Sequence, residues 1–284
     1  MKKIPYSIVD LSSKDYQNII NVIKSGWLAH GKSSVRFEKE FSKFTKSKYS
    51  ITMSSCTAGL HLSCIALDIK KGDEVIVPAQ THAATAHSVE YTGAKAVFAD
   101  IDIETGNISI NDIKRKISKK TKAIIPVHIA GKSCDMNSLL KIAKKHKLKI
   151  IEDCAHGLGS YYKNKHVGNF GSTGIFSFYP TKQITTGEGG MLITNNKSLF
   201  NKISKLKAFG IDNPPQLRKK PSVYDIKYLG FNYRMTDFQS AMGLSQLLNY
   251  RDYLKIRKAN AQTYHKNLKK IKNIFLPKIL KSRL

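Results

Sequence analysis

Several features that would assign a protein to a class at once are missing from this sequence. No apolar run approaches the roughly eighteen residues that a membrane-spanning helix needs, so no span is expected. No apolar stretch follows the two N-terminal lysines, Lys2 and Lys3, as it would in a cleaved secretory signal, and the chain reads as cytoplasmic. Cysteine is sparse. Cys56, Cys64, Cys134 and Cys154 lack the paired spacing of a zinc site and the density of a disulfide framework, so neither metal nor disulfide is expected. Acidic residues are few, 20 against 48 lysines and arginines, which gives a formal net charge of +28. Arginine is scarce beside lysine, however, and bidentate reading of phosphate or guanine favours arginine. The lysines also fall in short pieces at residues 114–120, 141–149 and 266–272, which at helical spacing form solvated faces. A basic nucleic-acid-binding α/β protein is therefore the alternative reading and not the leading one.

What is present fits an enzyme-sized α/β protein. The 284 residues, 41% of them hydrophobic, suffice for one large domain with a buried core and the beginning of a second. Short β-branched runs alternate with longer helix-patterned segments, which predicts a mainly parallel sheet with flanking helices. Strands are predicted at residues 50–53, 74–77, 96–99, 123–127, 149–152, 174–178 and 191–194. Helices are predicted at residues 16–24, 58–67, 82–91, 110–117, 136–146 and 198–207. Prolines 214, 215 and 221 mark residues 213–222 as a loop, and the Thr236/Gln239 spacing of a capping box starts another helix. The lysine-rich tail, residues 260–284, ends without the strand and helix set of a complete second domain.

In a parallel α/β sheet, ligands collect beyond the carboxyl ends of the strands. Three stretches there carry chemistry. Ser54-Ser55-Cys56-Thr57-Ala58-Gly59 lies between a strand and a helix, where free backbone N–H groups hold a phosphate or where Ser55 or Thr57 simply caps the helix. Asp153 ends an apolar strand and is followed at three residues by His156; the carboxylate suits a protonated ring nitrogen, or again a helix cap. Phe176-Ser177-Phe178-Tyr179-Pro180-Thr181-Lys182 delivers a lone lysine into the turn Gln183-Ile184-Thr185-Thr186-Gly187-Glu188-Gly189-Gly190, a place where a desolvated amine can be a nucleophile.

Residues 177–190, with Asp153 upstream, resemble the active-site signature of the DegT/DnrJ-type sugar-nucleotide aminotransferases, which have the fold type I architecture. Further stretches in the expected order extend the resemblance over residues 4–260: Ser25-Gly26-Trp27-Leu28, Gly72-Asp73-Glu74-Val75-Ile76-Val77-Pro78, Tyr91-Thr92-Gly93-Ala94-Lys95, Ala123-Ile124-Ile125-Pro126-Val127-His128 and Gly230-Phe231-Asn232-Tyr233-Arg234-Met235.

The resemblance implies a cofactor, pyridoxal 5'-phosphate, bound covalently as a Schiff base by Lys182. It implies that Asp153 holds the pyridine nitrogen, that His156 meets the ring hydroxyl, and that Ser177, Thr57 and Ala58 hold the phosphate. His82 takes the place of a ring-stacking side chain, commonly Phe or Trp. Asn232 matches an Asn that reaches the cofactor phosphate of a neighbouring subunit, which implies a homodimer with shared sites; read without the family, Asn232 and Arg234 shape the approach to the Thr236 helix. The implied reaction moves an amino group, by analogy from glutamate, to a nucleotide-linked keto-deoxy sugar for surface polysaccharide or glycoconjugate biosynthesis. Related dehydratases have histidine in place of the lysine, so Lys182 favours transamination. Family members continue past this length. The expected division is a cofactor-binding domain over residues 1–245 and the start of a smaller, incomplete domain over 246–284, with a cofactor-binding subunit without turnover as the second alternative.

Overall fold

In the computed structural model the described residues are 5, 7–29, 31–212, 220, 223–274 and 276. The loop predicted at residues 213–222 lies outside them except for Lys220, as do residues 277–284 of the tail. Seven strands form one sheet: β1 (Tyr49–Met53), β2 (Glu74–Pro78), β3 (Lys95–Ala99), β4 (Thr121–Ile124), β5 (Lys149–Asp153), β8 (Thr173–Ser177) and β9 (Gly190–Thr194). Their order is β1-β9-β8-β5-β4-β2-β3. All pairings are parallel except those of β9, which runs antiparallel to both β1 and β8. These are the seven predicted strands. Their continuous Val/Ile/Leu runs follow from burial on both faces, and every residue of β9 is buried.

The helices that cover the sheet are α3 (Cys56–Ala66), α4 (Ala83–Glu90), α5 (Ile110–Lys116), α6 (Met136–His146) and α7 (Lys197–Leu206), with α1 (Ser13–Lys24) before them. Two elements were not predicted. Helix α2 (Lys32–Thr45) carries Phe37, Phe41 and Phe44 at helical spacing, and Phe37 and Phe41 are wholly buried. Their rings lie 5.3 Å from Phe178 and 5.1 Å from Phe176, between centroids, so α2 seals the sheet beneath the segment that carries Lys182. A two-stranded hairpin, β6 (Tyr161–Tyr162) and β7 (Lys165–His166), turns through Lys163 and Asn164, both left-handed as such a tight turn requires.

Strand β4 ends at Ile124, short of the predicted 127. Pro126 has no N–H to give to a ladder, and its carbonyl instead accepts the Asp153 N–H at 2.9 Å. The final helix, α8 (Asp237–Leu268), starts where predicted, with Gln239 Oε1 accepting from the Thr236 N–H and hydroxyl. It is 32 residues long and runs unbroken through residue 245 and into the predicted tail. Among the described residues no helix is long and apolar enough to cross a membrane.

Candidate active site

Strands β1, β5 and β8 finish on the same edge of the sheet, and β9 begins there. Gly190, the first residue of β9, lies opposite both Met53 and Ser177, the last residues of β1 and β8. The segments that follow those two strands therefore meet at Gly190. A Cβ on Gly190 would sit 2.7 Å from the Cys56 backbone nitrogen, which cannot yield, so only glycine lets the start of α3 pack this closely. Ser55 is the cap of α3, its hydroxyl accepting from the Ala58 N–H at 3.0 Å. That leaves the Cys56 and Thr57 N–H groups, which a helix cannot satisfy from within, at its positive end.

Asp153 closes β5 and is 4% exposed. Its Oδ2 accepts the Thr85 hydroxyl at 2.8 Å and its Oδ1 accepts the Ala155 N–H at 3.0 Å. Thr81 supports Thr85 in turn through a 2.7 Å hydroxyl contact. The carboxylate is thus aimed by α4 as well as by its own strand. His82 caps α4, Nδ1 accepting from the Ala84 N–H at 3.2 Å, and its ring is exposed close enough to His156 for their charges to interact.

Lys182 is half-buried, and its Nζ lies 2.8 Å from Nε2 of His156. The loop that carries it is tied at both ends, Phe178 N–H to Gly189 carbonyl and Thr186 N–H to Phe178 carbonyl, each 2.9 Å. Helix α8 clasps it from outside: the Gln246 amide bonds both the N–H (3.0 Å) and the carbonyl (2.6 Å) of Thr185, and Gln239 donates to the Glu188 carbonyl at 2.7 Å. Burial holds the His156 imidazole below its ordinary range, so it is neutral at pH 7. Burial, reinforced by the Asp153 carboxylate, pushes the Cys56 thiol well above its usual value.

Lys182, His156, Asp153 and His82 are therefore gathered at one edge, with Ser177 and the Thr57-Ala58 start of α3 meeting through Gly190. Asn232 is not joined to them: it is exposed, its Oδ1 takes the Arg234 Nε at 3.1 Å, and its backbone bridges Ala208. Sequence reasoning did not single out Thr85 or Gln246, and it named Gln239 only as a helix-capping residue and Cys56 only within the 54–59 stretch. Thr85 had a signal, three residues beyond His82 on the same helical face.

On the opposite face of β5 a second polar cluster forms from His128, Glu152 and Cys154, whose potential ligand atoms lie within 4.8 Å of one another. Hydrogen bonding accounts for it. Glu152 accepts the N–H groups of Gly168 (2.8 Å), Phe170 (2.7 Å) and Gly171 (2.7 Å), and lies 3.1 Å from His128 Nε2. His128 Nδ1 accepts the Cys134 N–H at 3.1 Å, so Nε2 carries the hydrogen given to Glu152. Burial pushes the Cys154 thiol up to about 12.

Known proteins resemble the chain over most of its length. The DegT/DnrJ/EryC1/StrS aminotransferase family model matches residues 9–283. The GDP-perosamine synthase of Escherichia coli O157:H7 is 40% identical over 269 residues, 94% of this chain and 72% of that protein. The aminotransferase from Psychrobacter cryohalolentis has a TM-score of 0.90 at 37% identity, covering 94% of this chain and 69% of its own. A GDP-4-keto-6-deoxymannose-3-dehydratase with a trapped PLP-glutamate geminal diamine has a TM-score of 0.88 at 27% identity, covering 95% and 74%. The chain thus spans about seven-tenths of the length of these relatives.

Proposed function

The chain belongs to the DegT/DnrJ/EryC1/StrS aminotransferase family, and from that premise we propose that it transfers an amino group from glutamate to a nucleotide-linked keto-deoxy sugar. The observation that carries the reading is the 2.8 Å approach of Lys182 Nζ to His156, above a buried Asp153 whose two oxygens are already aimed by Thr85 and Ala155. The similarity to a GDP-perosamine synthase and to a GDP-sugar dehydratase supports a nucleotide sugar, and the glutamate trapped in the latter supports glutamate as donor.

The donor set fits pyridoxal phosphate. Asp153 has acceptor capacity beyond its two fixed donors and would hold a protonated ring nitrogen; the Thr57 and Ala58 end of α3, with Ser177, would hold the phosphate. His156 would meet the ring hydroxyl, His82 would cover the ring, and Lys182 would bind the cofactor covalently. When bound, the cofactor supplies an electron-withdrawing ring that makes the donor carbon acidic.

The protein does the rest. Asp153 would pair with the positive charge of a protonated ring nitrogen. Lys182, displaced by the amino donor, would take the proton from the donor carbon and deliver it to the cofactor carbon on the far side of the intervening nitrogen. Gln246 and Gln239 fix the loop so that Nζ stays within reach of both positions. Asn232, exposed on this chain, is assigned to the partner site of a homodimer, and the reaction is placed in the cytoplasm.

Lys182→Ala tests the assignment. With added pyridoxal phosphate the wild-type chain develops the visible absorption of a lysine-bound cofactor, lost on adding glutamate; the variant shows neither the band nor turnover. An unchanged spectrum and rate would remove Lys182 from the site. A wild-type chain that shows the band but no response to glutamate would instead support a cofactor-binding subunit without turnover.

A further inference from the structure

The turn at residues 129–131 has no part in the roles assigned above, yet its backbone is strained beside the site. Ala130 sits at φ 49°, ψ 24°, a left-handed conformation that a residue with a Cβ disfavours, and Gly131 follows at φ 84°. Strain of this kind persists only where the surroundings over-determine it. Here they do. Asn107, 5% exposed, accepts the Ile129 N–H at 3.2 Å and donates to the carbonyls of Lys132 and Ser133, both at 3.1 Å. Ser160 donates to the Gly131 carbonyl at 2.7 Å. The result is that the Ala130 N–H is delivered 3.3 Å from Nδ1 of His156.

We propose that the Ala130 N–H is a positioning group that fixes His156 in the Nε2–H tautomer. A backbone N–H can only donate, so Nδ1 must accept and carries no hydrogen. The neutral imidazole then bears its hydrogen on Nε2, the nitrogen 2.8 Å from Lys182 Nζ. In the Nδ1–H tautomer two N–H groups would oppose each other across 3.3 Å. The neutral ring fits the burial that holds His156 below the usual imidazole range.

The inference rests on the reading of His156 as the partner of the ring hydroxyl. A ring locked as an Nε2 donor in the cofactor-free protein presents the same donor to a cofactor oxygen, with no tautomer exchange on binding. Ala130 touches neither cofactor nor substrate in this account and acts only through His156.

The test is a spectroscopic signature in the cofactor-free, full-length chain labelled with nitrogen-15 histidine, with the His156 signals identified by their loss in His156→Gln. Two-bond proton–nitrogen correlation spectra distinguish the tautomers. Wild type and Ala130→Gly, which keeps the N–H, should show a pyridine-like Nδ1 and a pyrrole-like Nε2. Replacing Ala130 by lactic acid exchanges the N–H for an ester oxygen and should shift the population towards Nδ1–H. An Nδ1–H tautomer or an imidazolium in the wild type at neutral pH overturns the proposal, as does an unmoved tautomer in the ester variant. Should the ester variant fail to fold, the wild-type spectrum still decides. A wrong tautomer alongside loss of the absorption band in Lys182→Ala would overturn this inference and leave the proposed function standing.

Discussion

Two carboxylates adjacent in the sequence, Glu152 and Asp153, occupy opposite faces of strand β5 and are used in opposite ways. Glu152 is wholly buried and its oxygens are taken up by three backbone N–H groups and the His128 ring. Asp153, 4% exposed, holds only two donors and faces Lys182, His156 and Cys56. One carboxylate is saturated and ties the loop at residues 168–171 to the sheet. The other is aimed but not saturated, which leaves an acceptor for a ligand. A polar group in a protein interior is free to do chemistry only to the extent that its neighbours leave its hydrogen-bonding capacity unspent.

That contrast breaks most visibly on exchanging each acid for its amide. Asp153→Asn keeps the shape, with its oxygen on the Ala155 N–H and its NH2 donating to the Thr85 hydroxyl, which can turn to accept, but removes the charge that would hold a ring nitrogen protonated. The glutamate-driven loss of the absorption band should slow on the order of 10³-fold, with stability changed by less than about 1 kcal/mol. Glu152→Gln should do the reverse, since its amide hydrogens must face backbone N–H groups. It should cost roughly 2–4 kcal/mol of stability and leave the rate of the folded enzyme nearly intact. Stopped-flow spectra and urea unfolding on both variants decide; equal effects of the two on rate would dissolve the distinction.

Much of the architecture was legible because it is local. All seven strands of the sheet were readable from β-branched runs, whereas the roles proposed for Lys182, Asp153 and His156 came from the family resemblance and not from their places near strand ends. Helix α2 was missed although Phe37, Phe41 and Phe44 carry the period, because it starts on Gly31, which offers no side-chain cap. What could not be read is tertiary. Thr85 lies 68 residues from the Asp153 it orients, and Gln246 lies 61 from the Thr185 it clasps. No spacing rule encodes such pairings. The division of labour between Glu152 and Asp153 was invisible for the same reason: it depends on which N–H groups the loop at 168–171 brings back to the strand.

The saturated side of β5 should also dominate the response to acid. His166, buried there, accepts the Gly159 N–H on Nε2 at 3.0 Å and donates from Nδ1 to the Val167 carbonyl at 2.6 Å. Burial pushes it from an ordinary 6.5 down to about 4. Below 6.5 the unfolded chain takes a proton that the folded chain refuses until about 4, so the unfolded state gains as pH falls. Stability from this group is complete above 6.5 and declines through that window, by about 3 kcal/mol in all at roughly 1.4 kcal/mol per unit. His166→Gln should unfold more easily at pH 7 yet show a flatter dependence between pH 6.5 and 4. A variant that tracks the wild-type slope would show that the buried neutral histidine is not responsible.

The smallest expected effect tests whether aiming alone matters on the unsaturated side. Thr85→Val keeps the volume of the side chain and removes one donor to Asp153, leaving the carboxylate charged, buried and still bonded to Ala155. A hydrogen bond to a charged group is worth about 1.5–3 kcal/mol, but here the carboxylate can recover part of it from a ring N–H or from water. The half-reaction with glutamate should therefore slow about tenfold, well short of the change in Asp153→Asn, and Thr85→Ser, which retains the hydroxyl, should restore most of the rate. The carboxylate's charge would then be the larger contribution and its orientation the smaller. If Thr85→Val were as slow as Asp153→Asn, orientation by α4 would be the decisive property of the site, and the saturated and unsaturated carboxylates would differ less in spare capacity than in who holds them still.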